Sequence, residues 1–165
     1  MKKIILFLLS IAVLFSGCSS NKTGNFELYL TDQPIPGLEH VYVTISEIKV
    51  QKDDGSVITV WEGTRTFDLL TLRNIEERIL DVELDTGTYT HIIVVIEAAS
   101  IVVNGRTREI NISPGLEVRI PVSFTIMDDG TTEVVLDFEV DQSINVGIGD
   151  QYLLIPVITV KRIGY

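Results

Sequence analysis

A chain of 165 residues with 45% hydrophobic and 22% charged residues has room for one ordinary globular core and is neither disordered nor fibrous in composition. Its 23 acidic residues outnumber 13 basic ones and give a net charge of −10, which excludes the basic surface that a nucleic-acid partner requires. A single cysteine, Cys18, excludes a disulfide framework and any cysteine-built metal cluster.

The first elements in chain order are those of export. Met1-Lys2-Lys3 is a charged start, residues 4–15 are apolar except for Ser10, and Ser16-Gly17-Cys18 is a small-residue processing site. The apolar run is too short to cross a roughly 30 Å hydrocarbon core comfortably as a helix. Residues 1–17 therefore read as a signal peptide, and Phe15-Ser16-Gly17-Cys18 resembles the bacterial lipobox. That resemblance implies acylation of Cys18, which becomes the mature N-terminus. Ser19, in place of an aspartate, permits onward sorting to the outer membrane in a double-membrane bacterium.

Loss of Lys2 and Lys3 takes the net charge from −10 to −12. Anionic lipid repels such a domain, so attachment has to be covalent. Residues 18–25 are expected to be the lipidated cysteine and a polar linker, whose seven residues after Cys18 reach at most roughly 25 Å.

Residues 26–165 are expected to form a single domain with a dominant period of two and abundant β-branched side chains. The predicted strands cover 26–31, 40–51, 56–62, 66–70, 79–84, 89–96, 100–103, 108–112, 116–126, 133–140 and 152–162. In 40–51 the apolar set switches from Val41, Val43 and Ile45 to Ile48 and Val50, which predicts a bulge near Ser46-Glu47. Asn104-Gly105 predicts a two-residue hairpin, and Asp53-Asp54-Gly55 and Asp128-Asp129-Gly130 two more turns. Pro121 assigns its strand to an edge. Pro34-Ile35-Pro36-Gly37 reads as a rigid connection, and Gly147-Ile148-Gly149-Asp150 as a turn. Helix is expected only at 69–78 and, more weakly, at 141–146. The fold class that follows is all-β, an antiparallel β-sandwich of transthyretin-like or immunoglobulin-like outline with at most one or two short helices.

Leu30-Thr31-Asp32-Gln33-Pro34, Val41-Tyr42-Val43-Thr44-Ile45, Phe67-Asp68-Leu69-Leu70, Gly87-Thr88-Tyr89, Val103-Asn104-Gly105 and Leu136-Asp137-Phe138 occur in an order and spacing similar to the domain of unknown function 4382. The resemblance runs from Gly24 to about Val160. It implies a lipid-anchored prokaryotic envelope β-sandwich with no activity attached.

No catalytic constellation is visible. The two histidines, His40 and His91, read as ordinary strand residues, and no nucleophile elbow, His-Glu-x-x-His motif or phosphate-binding loop accompanies them. No cofactor or metal ion is expected. Carboxylates are the abundant chemical resource: Glu133, Asp137, Glu139 and Asp141 are expected on one solvated face of a strand whose other face carries Val134, Leu136, Phe138 and Val140. The candidate ligand-binding residues are Asp32, Trp61, Asp137, Glu139 and Asp141.

The function that fits is a membrane-tethered envelope lipoprotein, exposed outside the cytoplasm on the cell or outer membrane, with a non-enzymatic binding or assembly domain. Its partners would be the membrane through the N-terminal lipid, and envelope proteins or glycans, with no nucleic acid. The alternatives are a carboxylate-dependent hydrolase of envelope or extracellular glycans and a pilus-like structural subunit.

Overall fold

The computed structural model describes residues 22–32, 38–147 and 151–165. The signal segment, Cys18, Pro34-Ile35-Pro36-Gly37 and Ile148-Gly149-Asp150 lie outside them. Among the described residues the alternating chain builds eleven strands: β1 Thr23–Thr31, β2 His40–Lys52, β3 Val57–Asp68, β4 Glu77–Asp85, β5 Gly87–Val103, β6 Arg106–Glu109, β7 Leu116–Ile126, β8 Thr131–Phe138, β9 Ile144–Val146, β10 Tyr152–Leu154 and β11 Ile158–Gly164. One sheet has the order β11-β8-β1-β4. The second runs β3-β2-β5-β6, with β7 also on β5, and β9 and β10 form a separate hairpin. The fold is the expected all-β sandwich. One pairing departs from an antiparallel arrangement, because β1 and β8 run parallel from Asn25↔Thr131 to Thr31↔Asp137.

The two sheets meet through their alternating apolar faces. Phe26, Leu28 and Leu30 of β1 and Val134, Leu136 and Phe138 of β8 join Val41, Val43, Ile48, Ile92, Ile96, Ile120 and Phe124 of the second sheet in one buried cluster. Within it Phe124 stacks on Phe26 of the opposite sheet at 5.0 Å between centroids, and on Tyr89 at 5.2 Å. The Tyr89 hydroxyl donates to the Asp85 carbonyl at 3.0 Å, a tyrosine-corner arrangement that ties the crossing from β4 to β5. Burial raises the phenol above its ordinary pKa.

Several expected boundaries move, each for a local reason. Segments 56–62 and 66–70 join as β3 as far as Asp68, and Leu69 and Leu70 pass into a 3-10 turn. Segments 89–96 and 100–103 are one β5, whose alternation slips where Ala98 and Ile96 face the consecutive residues Thr44 and Ile45. The bulge near Ser46-Glu47 is present on both sides of β2. Segment 152–162 is instead two strands in different sheets, interrupted at 155–157, where Pro156 has no N–H to donate.

The expected helix at 69–78 contracts to a 3-10 turn, Leu69–Leu72, whose Leu69, Leu70 and Leu72 are buried. Asn74 then takes φ 58°, and from Glu77 the ladder to β1 claims the backbone. At 141–146 only the single turn α1, Val140–Ser143, is helical before β9 begins.

The remaining expectations on turns and edges agree with the structure. Asn104 and Gly105 have φ 53° and 68° and close a two-residue hairpin at Val103↔Arg106. Pro121 lies on β7, which pairs only with β5, beside the register shift between Tyr89 and His91. Strand β1 begins at Thr23, three residues before the expected start, so Thr23, Gly24 and Asn25 belong to the sheet. That leaves four residues between Cys18 and the first strand.

The stack across the sheets makes a graded prediction. Phe124→Ala should cost about 3 to 5 kcal/mol in urea unfolding, the range for deleting a large buried aromatic. Tyr89→Phe, which keeps the ring and loses one hydrogen bond, should cost about 1 kcal/mol. Equal losses for the two variants would show that the stack does not clamp the sheets.

Candidate functional site

The direction of each strand divides the sandwich into two ends. One, the base, gathers the start of β1, the β2–β3 turn, the β4–β5 crossing and the β7–β8 turn. The other, the tip, gathers the end of β1, the start of β2, the 3-10 turn, the Asn104-Gly105 hairpin and α1. Thirteen residues of β2 separate them by roughly 40 Å at the usual strand rise.

At the base, Lys22 pairs with Asp128, and Lys52 pairs with Asp85 at 3.2 Å while lying 5.9 Å from the Tyr89 ring centroid. Two polar hollows open here. Lys22, Lys52, Asp85 and Thr86 line one of about 330 Å³, and a second of about 200 Å³ runs along Thr23, Gly24, Asn25 and Gly130. The charged groups in the larger hollow are already paired with one another or with Asp128, which leaves little to recognise a ligand. Gly24 has a structural role, since a Cβ there would fall 2.2 Å from the Met127 carbonyl oxygen.

The tip carries most of the residues that signalled the family resemblance. Thr31 donates from its hydroxyl to the Leu72 carbonyl at 3.2 Å, and Asp32 forms a parallel bridge with Arg73. Asp32 is 2% exposed and Asp137 5%. A carboxylate buried this far needs compensating polar partners. Both therefore belong to the framework of the tip.

The expected solvated carboxylate face on β8 is corrected by these positions. Val135 is buried as well as Val134 and Leu136, so β8 is covered on both sides along this stretch, and Asp137 lies between β1 and β11, in register with Thr31 and Thr159. β8 is a central strand of its sheet, between β1 and β11, and its outward Val135 and Asp137 are buried along with the inward set. Glu133 reaches the surface and binds Arg162 at 2.9 Å. Glu139 follows the strand and accepts from Thr159 at 3.0 Å and from Gln142. Asp141 is exposed on α1.

The candidate ligand residues thus do not converge on one cleft. Asp137 shares the face of Thr31, while Asp32 follows the end of β1 and bridges to Arg73. Trp61 lies on β3, partly buried against the core beside Gly63.

A pair that residue spacing did not suggest stands at the tip instead. His40 Nδ1 lies 2.6 Å from Asp68 Oδ2, and Asp68 Oδ1 accepts the Val41 N–H at 3.3 Å. Tyr42 stacks on the imidazole at 5.6 Å and 10°. These residues are 28 positions apart, and only the β2–β3 register, with Tyr42 opposite Asp68, brings them together. The signal available in the sequence was the pairing of the predicted 40–51 strand with the 66–70 strand, read far enough to count across it. An imidazole held by a carboxylate can orient and exchange a proton. Its hydrogen-bonded neighbours among the described residues do not include a hydroxyl placed as a nucleophile. No group of three or more His, Cys, Asp or Glu among the described residues is arranged to hold a metal ion.

A charge network fastens the tip to the outer face of the first sheet. Glu76 accepts from Arg162 at 2.8 Å and lies 3.5 Å from Lys161, and Arg162 also binds Glu133. The hydrogen bond from Arg162, aided by Lys161 and opposed by burial, holds the Glu76 carboxyl below its ordinary value of 4.5.

Fold and site together describe a two-sheet, all-β sandwich with the His40–Asp68 pair at its tip. The chain matches Domain of unknown function (DUF4382) over residues 23–156 and belongs to that family. No curated protein and no solved structure matches it. Among the described residues no helix is long and apolar enough to cross a membrane.

The depressed Glu76 carboxyl links stability to pH. A carboxyl whose folded value lies below its unfolded value contributes stability that is complete above the unfolded value and is lost as pH falls through the folded one. The stability difference between the parent chain and Glu76→Gln should be full near neutrality and shrink as pH drops below 4.5. Urea titrations at a series of pH values would measure it, and a difference independent of pH would refute the assignment.

Proposed function

We propose that the chain is a lipid-anchored envelope protein that holds its base toward the membrane and presents its tip as a non-enzymatic binding or assembly surface. The observation that carries this reading is the position of Lys22. It lies four residues after Cys18 and enters the sandwich at the base, opposite the end where Asp32, His40, Asp68 and Asn104 gather. Four residues span at most about 14 Å, so an anchor at Cys18 would keep the base close to lipid and direct the tip outward.

Charge requires that the anchor be covalent. Asp53, Asp54, Asp85, Asp128 and Asp129 surround the base, against Lys22 and Lys52. Such a surface is repelled by anionic headgroups and would not hold the domain at a membrane without a covalent lipid. The dispersal of the carboxylates favours binding over glycoside hydrolysis, which needs two carboxyl groups facing each other roughly 5 to 9.5 Å apart across a cleft.

The reading is tested by changing both ends in the native host. Cys18→Ser should release the protein from the membrane fraction and abolish fatty-acid labelling. Tip changes such as His40→Ala or Asp68→Asn should leave lipidation intact and remove cross-links to envelope partners. Membrane retention of the Cys18→Ser chain, with label, would refute the anchor. Cross-links that survive the tip changes and vanish on altering Asp54 or Asp128 would place the binding surface at the base instead.

A further inference from the structure

The tip holds the chain's only Asn-Gly dipeptide, Asn104-Gly105, exposed at the end of a two-residue hairpin. An asparagine followed by glycine is the most reactive setting for deamidation, because the following nitrogen meets no side-chain hindrance. The Gly105 nitrogen loses its proton and attacks Asn104 Cγ. The new C–N bond closes a succinimide, and the Asn104 side-chain nitrogen leaves as ammonia after taking up a proton. Water then opens the ring at either carbonyl, leaving an aspartate or an isoaspartate at position 104. No oxidant or enzyme is required.

The reacting N–H is held. Gly105 N–H donates to both oxygens of the Glu39 carboxylate, at 3.1 Å to Oε1 and 3.3 Å to Oε2. Two other exposed turns have a comparable acid-glycine pair, Asp54-Gly55 and Asp129-Gly130, and in both the glycine N–H donates to a main-chain carbonyl, of Lys52 at 3.0 Å and Met127 at 3.1 Å. At Asn104 alone does a charged side chain from another segment bind the nitrogen that would attack.

We propose that Asn104 is a deamidation site of the folded protein and that Glu39 sets its rate by holding the Gly105 N–H. An anion beside this N–H disfavours the deprotonated nitrogen that attack requires, and both hydrogen bonds must break before the nitrogen can swing toward Cγ. The hairpin adds to the restraint. Asn104 and Gly105 are fixed at φ 53° and 68°, and four β5–β6 pairs from Val103↔Arg106 to Ser100↔Glu109 hold the turn closed. A Cβ built on Gly105 meets nothing within 4 Å, so the turn is open to solvent on that side. The barrier is therefore the Glu39 grip and the turn conformation.

Reaction would alter the tip irreversibly. Either product places a new carboxylate next to Glu39, which repels it from the turn. An isoaspartate also lengthens the backbone by one methylene, which a two-residue hairpin cannot absorb without losing the Val103↔Arg106 pair. The inference is independent of how the chain is anchored.

The purified full-length chain in detergent, aged in mildly alkaline buffer, tests this by peptide mass spectrometry and by isoaspartate-specific enzymatic methylation. Position 104 should convert in the folded parent chain, slowly, and several-fold faster in Glu39→Ala and Glu39→Gln, with both variants keeping the parent circular dichroism spectrum. The parent unfolded in urea should convert faster still, which keeps the test valid if a variant folds poorly. Equal rates in folded and unfolded parent chains would overturn the proposal. So would an unchanged or slower rate in folded Glu39→Gln, which would make Glu39 a bystander or a base that promotes the attack.

Discussion

The interaction on which the sandwich depends is the aromatic stack that crosses it. Phe26 belongs to one sheet and Phe124 and Tyr89 to the other, and Phe124 lies within 13° of parallel to each of the other two rings. They sit near the base, where the chain passes from β4 to β5 and from β7 to β8, and the Tyr89 hydroxyl closes the first crossing on Asp85. With the base fixed, the strands extend as stiff alternating ladders and carry the tip residues to a defined place far from it. The tip needs other restraints: the buried Leu69, Leu70 and Leu72 beneath the 3-10 turn, the Thr31 bond to Leu72, and the Glu76 network to β11.

Much of this could be read from residue order. Strict alternation in 116–126 predicts β7 to the residue, and the slip of the apolar set after Ile45 places the bulge. Asn-Gly places the hairpin because only a left-handed pair closes two residues between twisted strands. What failed was pattern without partner. The i, i+3 spacing after Leu69 suits a helix, but the ladder to β1 offers the same backbone groups better-supported bonds from Glu77 onward. The acidic face assigned to β8 failed as well, since alternation separates two faces without saying that Val135 and Asp137 on the outward one are buried.

The candidate site was legible only in part. Asp32 and Asp137 lie at the ends of adjacent strands as buried framework, and Trp61 is remote from them on β3. The His40–Asp68 contact joins two strands that are consecutive in the chain, and it becomes visible only when their register is known across two bulges. A histidine alone in a strand carries no such information. The base presents the converse case: polar hollows open there, yet its charged groups pair within it, so concavity there reflects the meeting of turns.

The central claim is orientational: base toward lipid, tip away. Once lipidated, Cys18 has no free thiol, and it is the only native cysteine, so a single introduced cysteine can carry a fluorophore without competition. The lipidated protein, labelled at Asp54→Cys on the base or at Thr107→Cys near the tip, is placed in vesicles containing a quencher lipid. The account predicts strong quenching at position 54 and almost none at position 107, roughly 40 Å farther from the bilayer at the usual strand rise. Equal quenching at the two positions, or stronger quenching at 107, would contradict it.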